Sequence, residues 1–195
     1  MEQTPGYRFG ARAVVFSATF YAVVLGVALG VGALWPSVLG VTWTSAPLTD
    51  LWIGLAAGAG IAALSWPFAT RFAAGRRLSE RLAETLHGIP WWGMVVLSVA
   101  AGLAEEAVFR GCLWTLAEGV GGAWVALVAT AVLFGAAHGL FMGRFLAWSA
   151  FALATGLALG GVRLATGGVL APVIAHALVD LVNIPMVLAT ARRKA

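Results

Sequence analysis

Residues 103–112 read LAEEAVFRGC and put Glu105, Glu106 and Arg110 into an otherwise apolar run. Two similar clusters follow. LFGAAHG carries Phe134 and His138, and IAHALVD carries His176 and Asp180, with Asn183 about one turn further on. Carboxylates and imidazoles can take a proton from water and return it to a leaving group, so these types together point to hydrolysis. Spacing then divides the roles. Glu106 and Arg110 are four apart, share a helix face and can pair, which removes most of the cost of carrying either alone in hydrocarbon. Glu105 is rotated by about 100° around the helix and is left to face a cavity. His176 and Asp180 are also four apart, so the carboxylate can orient the imidazole, and Phe134 shares a face with His138. If the three helices adjoin, one carboxylate and two histidines converge around a water.

The elements that must position these groups are membrane helices. The chain has 195 residues, 61% hydrophobic and 10% charged, whereas a soluble domain is roughly 25% charged. Six apolar runs, at 13–34, 50–73, 90–116, 122–142, 145–163 and 168–190, are each long enough to cross ~30 Å of hydrocarbon as a helix. The runs are continuous rather than alternating, so the expected fold is an all-α polytopic transmembrane bundle of about six spans and not a barrel. The whole chain reads as one membrane domain. Residues 13–89 form two accessory spans plus an amphipathic segment, and 90–190 form the core that holds all three clusters. Within AGRRLSERLAETLHGI (74–89), Leu78, Leu82 and Leu86 recur every four residues between charges, as on a surface helix. His87 in this segment reads as interfacial, and Arg163 as a loop anchor. The GxxxG pairs Gly26–Gly30, Gly54–Gly58 and Gly156–Gly160 allow close helix packing.

Loop charges orient the bundle. Arg8 and Arg12 precede the first span, Arg71, Arg76, Arg77 and Arg81 follow the second, Arg144 follows the fourth, and Arg192, Arg193 and Lys194 follow the sixth. The segments after spans one and three carry Asp50 and Glu118 but no basic residue. Both termini are therefore expected in the cytoplasm, in a plasma (inner) membrane, with no cleavable leader. With straight helices of these limits, Glu105 falls in the outer half of span three while His138 falls near the cytoplasmic end of span four. The net charge of +4 is scattered in short inter-span segments, which fits membrane orientation and not nucleic-acid binding. The single cysteine, Cys112, excludes an intrachain disulfide and reads as packing.

Taken in order, Glu105-Glu106-x-x-x-Arg110, Phe134-x-x-x-His138 and His176-x-x-x-Asp180 resemble the motif set of the CAAX protease and bacteriocin-processing family. That family, which includes the type II CAAX prenyl protease, shows EExxxR, FxxxH and HxxxN or HxxxD. The resemblance covers about residues 100–185. It implies a glutamate-dependent intramembrane endopeptidase acting on a membrane-associated protein or peptide precursor. In it Glu105 activates water, Arg110 holds Glu106, His138 joins Glu105 in handling the water, and His176 and Asp180 bind the water or the oxyanion. Asp at 180, where the eukaryotic prenyl proteases have Asn, donates a hydrogen bond only if protonated, so orienting His176 is its other possible role. Glu105, His138 and His176 are also zinc-ligand types, although the chain has neither HExxH nor GxSxG; no cofactor is the expectation, with zinc the alternative. Two rival functions remain at this level. One is a non-enzymatic membrane protein for bacteriocin self-immunity or partner assembly. The other is a proton-coupled carrier, which internal inverted repeats would favour and which the two halves of the chain do not display. The oligomeric state is not legible.

Overall fold

A computed structural model describes residues 9–44, 46–140 and 146–192. Arg8, Arg144, Arg193, Lys194 and the side chain of Arg192, all used to orient the bundle, lie outside the described residues. Among those residues the fold is all-α, as expected, with no strand. The helices are α1 (Ala11–Leu34), a short α2 (Pro36–Leu39), α3 (Pro47–Arg71), α4 (Ala73–Thr85), α5 (Trp91–Glu106), a π-helical turn (Ala107–Cys112), α6 (Leu113–Leu140), α7 (Leu146–Thr166) and α8 (Leu170–Arg192). Prolines set several starts: Pro36 and Pro47 occupy the first turns of α2 and α3, where the missing N–H costs nothing.

Five stretches are long and apolar enough to cross a membrane: Ala11–Leu34, Pro47–Arg71, Trp91–Gly139, Leu146–Thr166 and Leu170–Ala189. The third has 49 residues and reverses direction. On a straight helix the 25 residues from Phe109 to Phe134 would span ~37 Å, yet their ring centroids are 5.1 Å apart. The reversal is at Gly122, whose φ of 79° and ψ of 178° suit glycine alone. With the third stretch divided at this reversal, the described residues contain six long apolar helical segments, in line with the about six spans expected.

This turn corrects the expected depth mismatch. Glu105 lies 17 residues before Gly122 (122 − 105) and His138 lies 16 after it (138 − 122), so the two are level on the hairpin. The misreading came from ending span three at residue 116; the helical path continues to the glycine.

Helix α8 is the centre of the bundle. Its Ala171, Ala175 and Val179 are almost fully buried, and α3 lies against them through Gly54 and Gly58. A methyl group added at Gly54 would come 2.7 Å from the Ala171 carbonyl oxygen, and one at Gly58 2.8 Å from that of Ala175. These two glycines, and Gly156 against Ala131 of α6, are true close approaches. Gly26 and Gly30 are not: nothing lies within 4 Å of where their side chains would be, so this GxxxG faces outward. The amphipathic segment forms α4, with Leu78 buried and Leu82 and Leu86 half-buried, while Arg76 Nη1 donates to the Arg71 carbonyl at the end of α3 (2.7 Å).

Two charges differ from their sequence reading. Asp50, counted above as a loop charge, is 2% exposed and accepts a hydrogen bond from the Thr44 hydroxyl. Arg163, read as a loop anchor, sits in the last turn of α7 and is 8% exposed. It faces the hairpin because α7 packs along α6.

Candidate active site

The three clusters meet where α5, the returning half of α6 and α8 come together. Glu106 and Arg110 are both fully buried and pair at 3.1 Å. Arg110 Nη2 also donates to the carbonyl of Gly156 on α7 at 2.9 Å, and its guanidinium lies over the Phe134 ring at 4.6 Å. The charge is thus held by a carboxylate, a carbonyl and an aromatic face, which together offset part of the hydration it lost; among the described residues its Nε has no hydrogen-bond partner.

Glu106 has a second partner. His176 Nδ1 donates to the same Glu106 oxygen at 2.8 Å. Spacing within α8 suggested that Asp180 would orient His176, but Asp180 Oδ2 is 3.8 Å from the other ring nitrogen, Nε2, beyond hydrogen-bond range. The imidazole is oriented across helices, by the acid that Arg110 neutralises. His138 is oriented by its own helix, its Nδ1 donating to the Phe134 carbonyl at 2.8 Å. These partners assign the N–H of each neutral ring to Nδ1 and leave Nε2 with a free lone pair. Phe134 packs 4.4 Å from the His138 ring and 5.8 Å from that of His176.

Both Nε2 atoms face Glu105. Its Oε2 is 3.7 Å from His138 Nε2 and 4.0 Å from His176 Nε2. These separations exceed a direct hydrogen bond and suit a molecule that touches all three. Oε2 is buried and has no hydrogen-bond partner among the described residues, a costly state that a bound water would relieve. The other oxygen, Oε1, accepts from Tyr21 Oη at 3.0 Å. Tyr21 belongs to α1, a span in which the sequence offers no motif. The only available signal was its rarity, since it is one of two tyrosines and lies mid-span. Asn183 stands apart from the triad, with its amide 3.4 Å from the Ser65 hydroxyl of α3.

Glu105, His138, His176 and Asp180 line one end of a cavity of about 330 Å³. Its walls are largely apolar, with Phe68, Trp148, Phe151 and Val187; α4 contributes Leu78 and Leu82, and Leu86 follows directly after it. The segment expected to lie on the membrane surface therefore also closes the cavity. Adjacent ligands around a tetrahedral zinc with ~2.0 Å bonds lie ~3.3 Å apart, closer than the 3.7 and 4.0 Å found here. Among the described residues no group of three His, Cys, Asp or Glu side chains is disposed to hold a metal ion.

Residues 87–182 match the family model described as "Type II CAAX prenyl endopeptidase Rce1-like". The chain belongs to the CAAX protease family. The matched region starts just before α5 and ends within α8, so it contains the three motifs and the Gly122 turn. Tyr21, with the rest of α1, α2, α3 and α4, lies outside it. No curated protein and no solved structure matches the chain. At the level of the family, this CAAX-type protein is an intramembrane endopeptidase, integral to a lipid bilayer and acting on a peptide substrate.

Proposed function

We propose that this CAAX-family protein hydrolyses a peptide bond of a membrane-associated protein or peptide precursor through a water activated by Glu105 and His138, without a metal. The observation that carries the reading is the unpartnered Glu105 Oε2, facing two imidazole Nε2 atoms at 3.7 and 4.0 Å on the wall of an apolar cavity. In this mechanism the water donates one hydrogen to Glu105 Oε2 and the other to His138 Nε2. As its oxygen attacks the scissile carbonyl carbon, Glu105 takes the first proton. It then returns that proton to the amine nitrogen when the C–N bond breaks, leaving an amine and a carboxylic acid. His176, in its imidazolium form, would donate from Nε2 to the oxyanion, with Glu106 and Asp180 balancing its charge. Asp180 then needs no proton of its own, which suits Asp where relatives of the motif carry Asn.

The apolar cavity supports an extended, greasy substrate segment. A prenylated C-terminus, from the family description, and a secreted precursor are both candidates. Exposed Arg12, Arg71, Arg76 and Arg77 support cytoplasmic termini in a plasma (inner) membrane.

The test is cleavage of a panel of membrane-anchored peptides, prenylated and not, co-reconstituted in proteoliposomes with and without a strong chelator. Product is expected, and chelation is expected to leave its rate unchanged. A rate lost to the chelator and restored by zinc would move Glu105, His138 and His176 into a metal site; no product from any peptide would sink the reading. In the same assay Tyr21→Phe should lower kcat about tenfold, because it removes one hydrogen bond to the charged base, worth ~1.5–3 kcal/mol. An unchanged kcat would mean that Tyr21 only packs.

A further inference from the structure

Arg163 is a guanidinium inside a membrane helix, 92% buried (100 − 8), and among the described residues no carboxylate lies within ion-pair distance of it. Such a residue is expensive in hydrocarbon and calls for a compensating role. Its contacts are specific. Nε donates to the Arg110 carbonyl at 3.2 Å, and the guanidinium lies 5.3 Å from the Trp114 ring. The accepting carbonyl belongs to the π-helical turn Ala107–Cys112, which begins directly after Glu105 and Glu106. Single π turns occur mostly at functional sites, and a bond from a neighbouring helix to a carbonyl of the turn fixes its position against that helix.

The support is reciprocal. Arg110 of the turn donates through its side chain to the Gly156 backbone of α7 (2.9 Å), and Arg163 of α7 donates through its side chain to the Arg110 backbone (3.2 Å). Two guanidinium-to-carbonyl bonds therefore lace the turn to α7 at positions about two helical turns apart. α7 supplies none of the three motifs, yet it fixes the segment that aims Glu105 at the histidines.

We propose that Arg163 is a positioning residue for the glutamate centre, holding the π turn through the hydrogen bond that its Nε donates to the Arg110 carbonyl. This rests on the proteolytic reading above. Gln is the informative substitution, because its Nε2 is as many bonds from Cα as the Nε of arginine, and it keeps a donor without the charge. In the reconstituted protease, Arg163→Met should lower kcat about tenfold at unchanged KM, since a shift of a fraction of an ångström at the base costs rate and leaves the cavity as it was. Arg163→Gln should restore kcat to within about threefold of wild type.

Hydrogen–deuterium exchange of the backbone in detergent supplies a readout independent of cleavage. Amides of 107–113 should exchange faster in Arg163→Met and normally in Arg163→Gln, with other segments unchanged. A Met variant with normal kcat and normal exchange overturns the proposal. So does a Gln variant that is as impaired as Met or does not fold. Absence of cleavage by the wild type would sink the proteolytic reading instead, and the exchange pattern alone would then decide whether Arg163 holds the turn.

Discussion

Glu105→Gln is expected to abolish cleavage, lowering kcat by about a thousandfold, the middle of the range for loss of a general base, in protein that folds like wild type. Gln has the shape of Glu and its carbonyl oxygen can still accept from Tyr21 Oη, which now meets Oε1 at 3.0 Å. What it loses is the atom that takes the proton. Its amide would present N–H groups to the two Nε2 atoms, 3.7 and 4.0 Å from the present Oε2, donating where the base should accept. The measurement pairs initial rates in proteoliposomes with thermal unfolding in detergent. Retention of more than about a tenth of the wild-type rate would remove Glu105 from the chemistry, and the water would then need another base.

Arg110→Met should have the largest effect on stability. Arg110 and Glu106 are each fully buried and pair at 3.1 Å, so removing the guanidinium leaves the Glu106 carboxylate in the core with His176 Nδ1 as its remaining partner among the described residues, at a cost of about 3–5 kcal/mol. The variant also gives up the bond to Gly156 and the contact with Phe134. The expected outcome is a large fall in unfolding temperature and in the monodisperse fraction after extraction. Glu106→Gln combined with Arg110→Met should recover a substantial part of that loss, because the stranded charge is gone and the amide oxygen can still accept from His176 Nδ1, which now donates to Glu106 at 2.8 Å. A double-mutant cycle reads the coupling. Additive effects of the two changes would mean that the pair stabilises nothing as a pair. The double variant should stay poorly active, since an imidazolium at His176 would have lost its balancing acid.

The two variants probe different layers of the site, and these were not equally legible in the sequence. The Glu106–Arg110 pair and the separate direction of Glu105 followed from helical periodicity, because residues four apart share a face and neighbours do not. His176 illustrates the limit. The same rule offered it Asp180, but its Nδ1 went to Glu106, 70 residues away in sequence. A local rule ranks partners within one helix and is silent about the helix next door. Tyr21 was invisible for the same reason, since its only connection to Glu105 runs from α1 to α5 across 84 residues. Arg163 was misread because a charge near the end of an apolar run is normally at the interface, whereas here α7 packs its last turn against the hairpin.

By itself, the sequence determined that this is an all-α polytopic membrane protein, and which of its few polar residues are worth noticing. Both conclusions rest on local physics: continuous apolar runs must hydrogen-bond internally as helices, and ionisable groups within them are too costly to be incidental. Tertiary structure alone decided the rest. A glycine at φ 79° brought Glu105 level with His138, and packing around α8 chose Glu106 as the partner of His176. Helices that carry no motif, α1, α4 and α7, supplied the tyrosine on Glu105, part of the cavity wall and the side-chain and backbone partners of the π turn. Those outcomes depend on distances between helices, which periodicity along one helix does not encode.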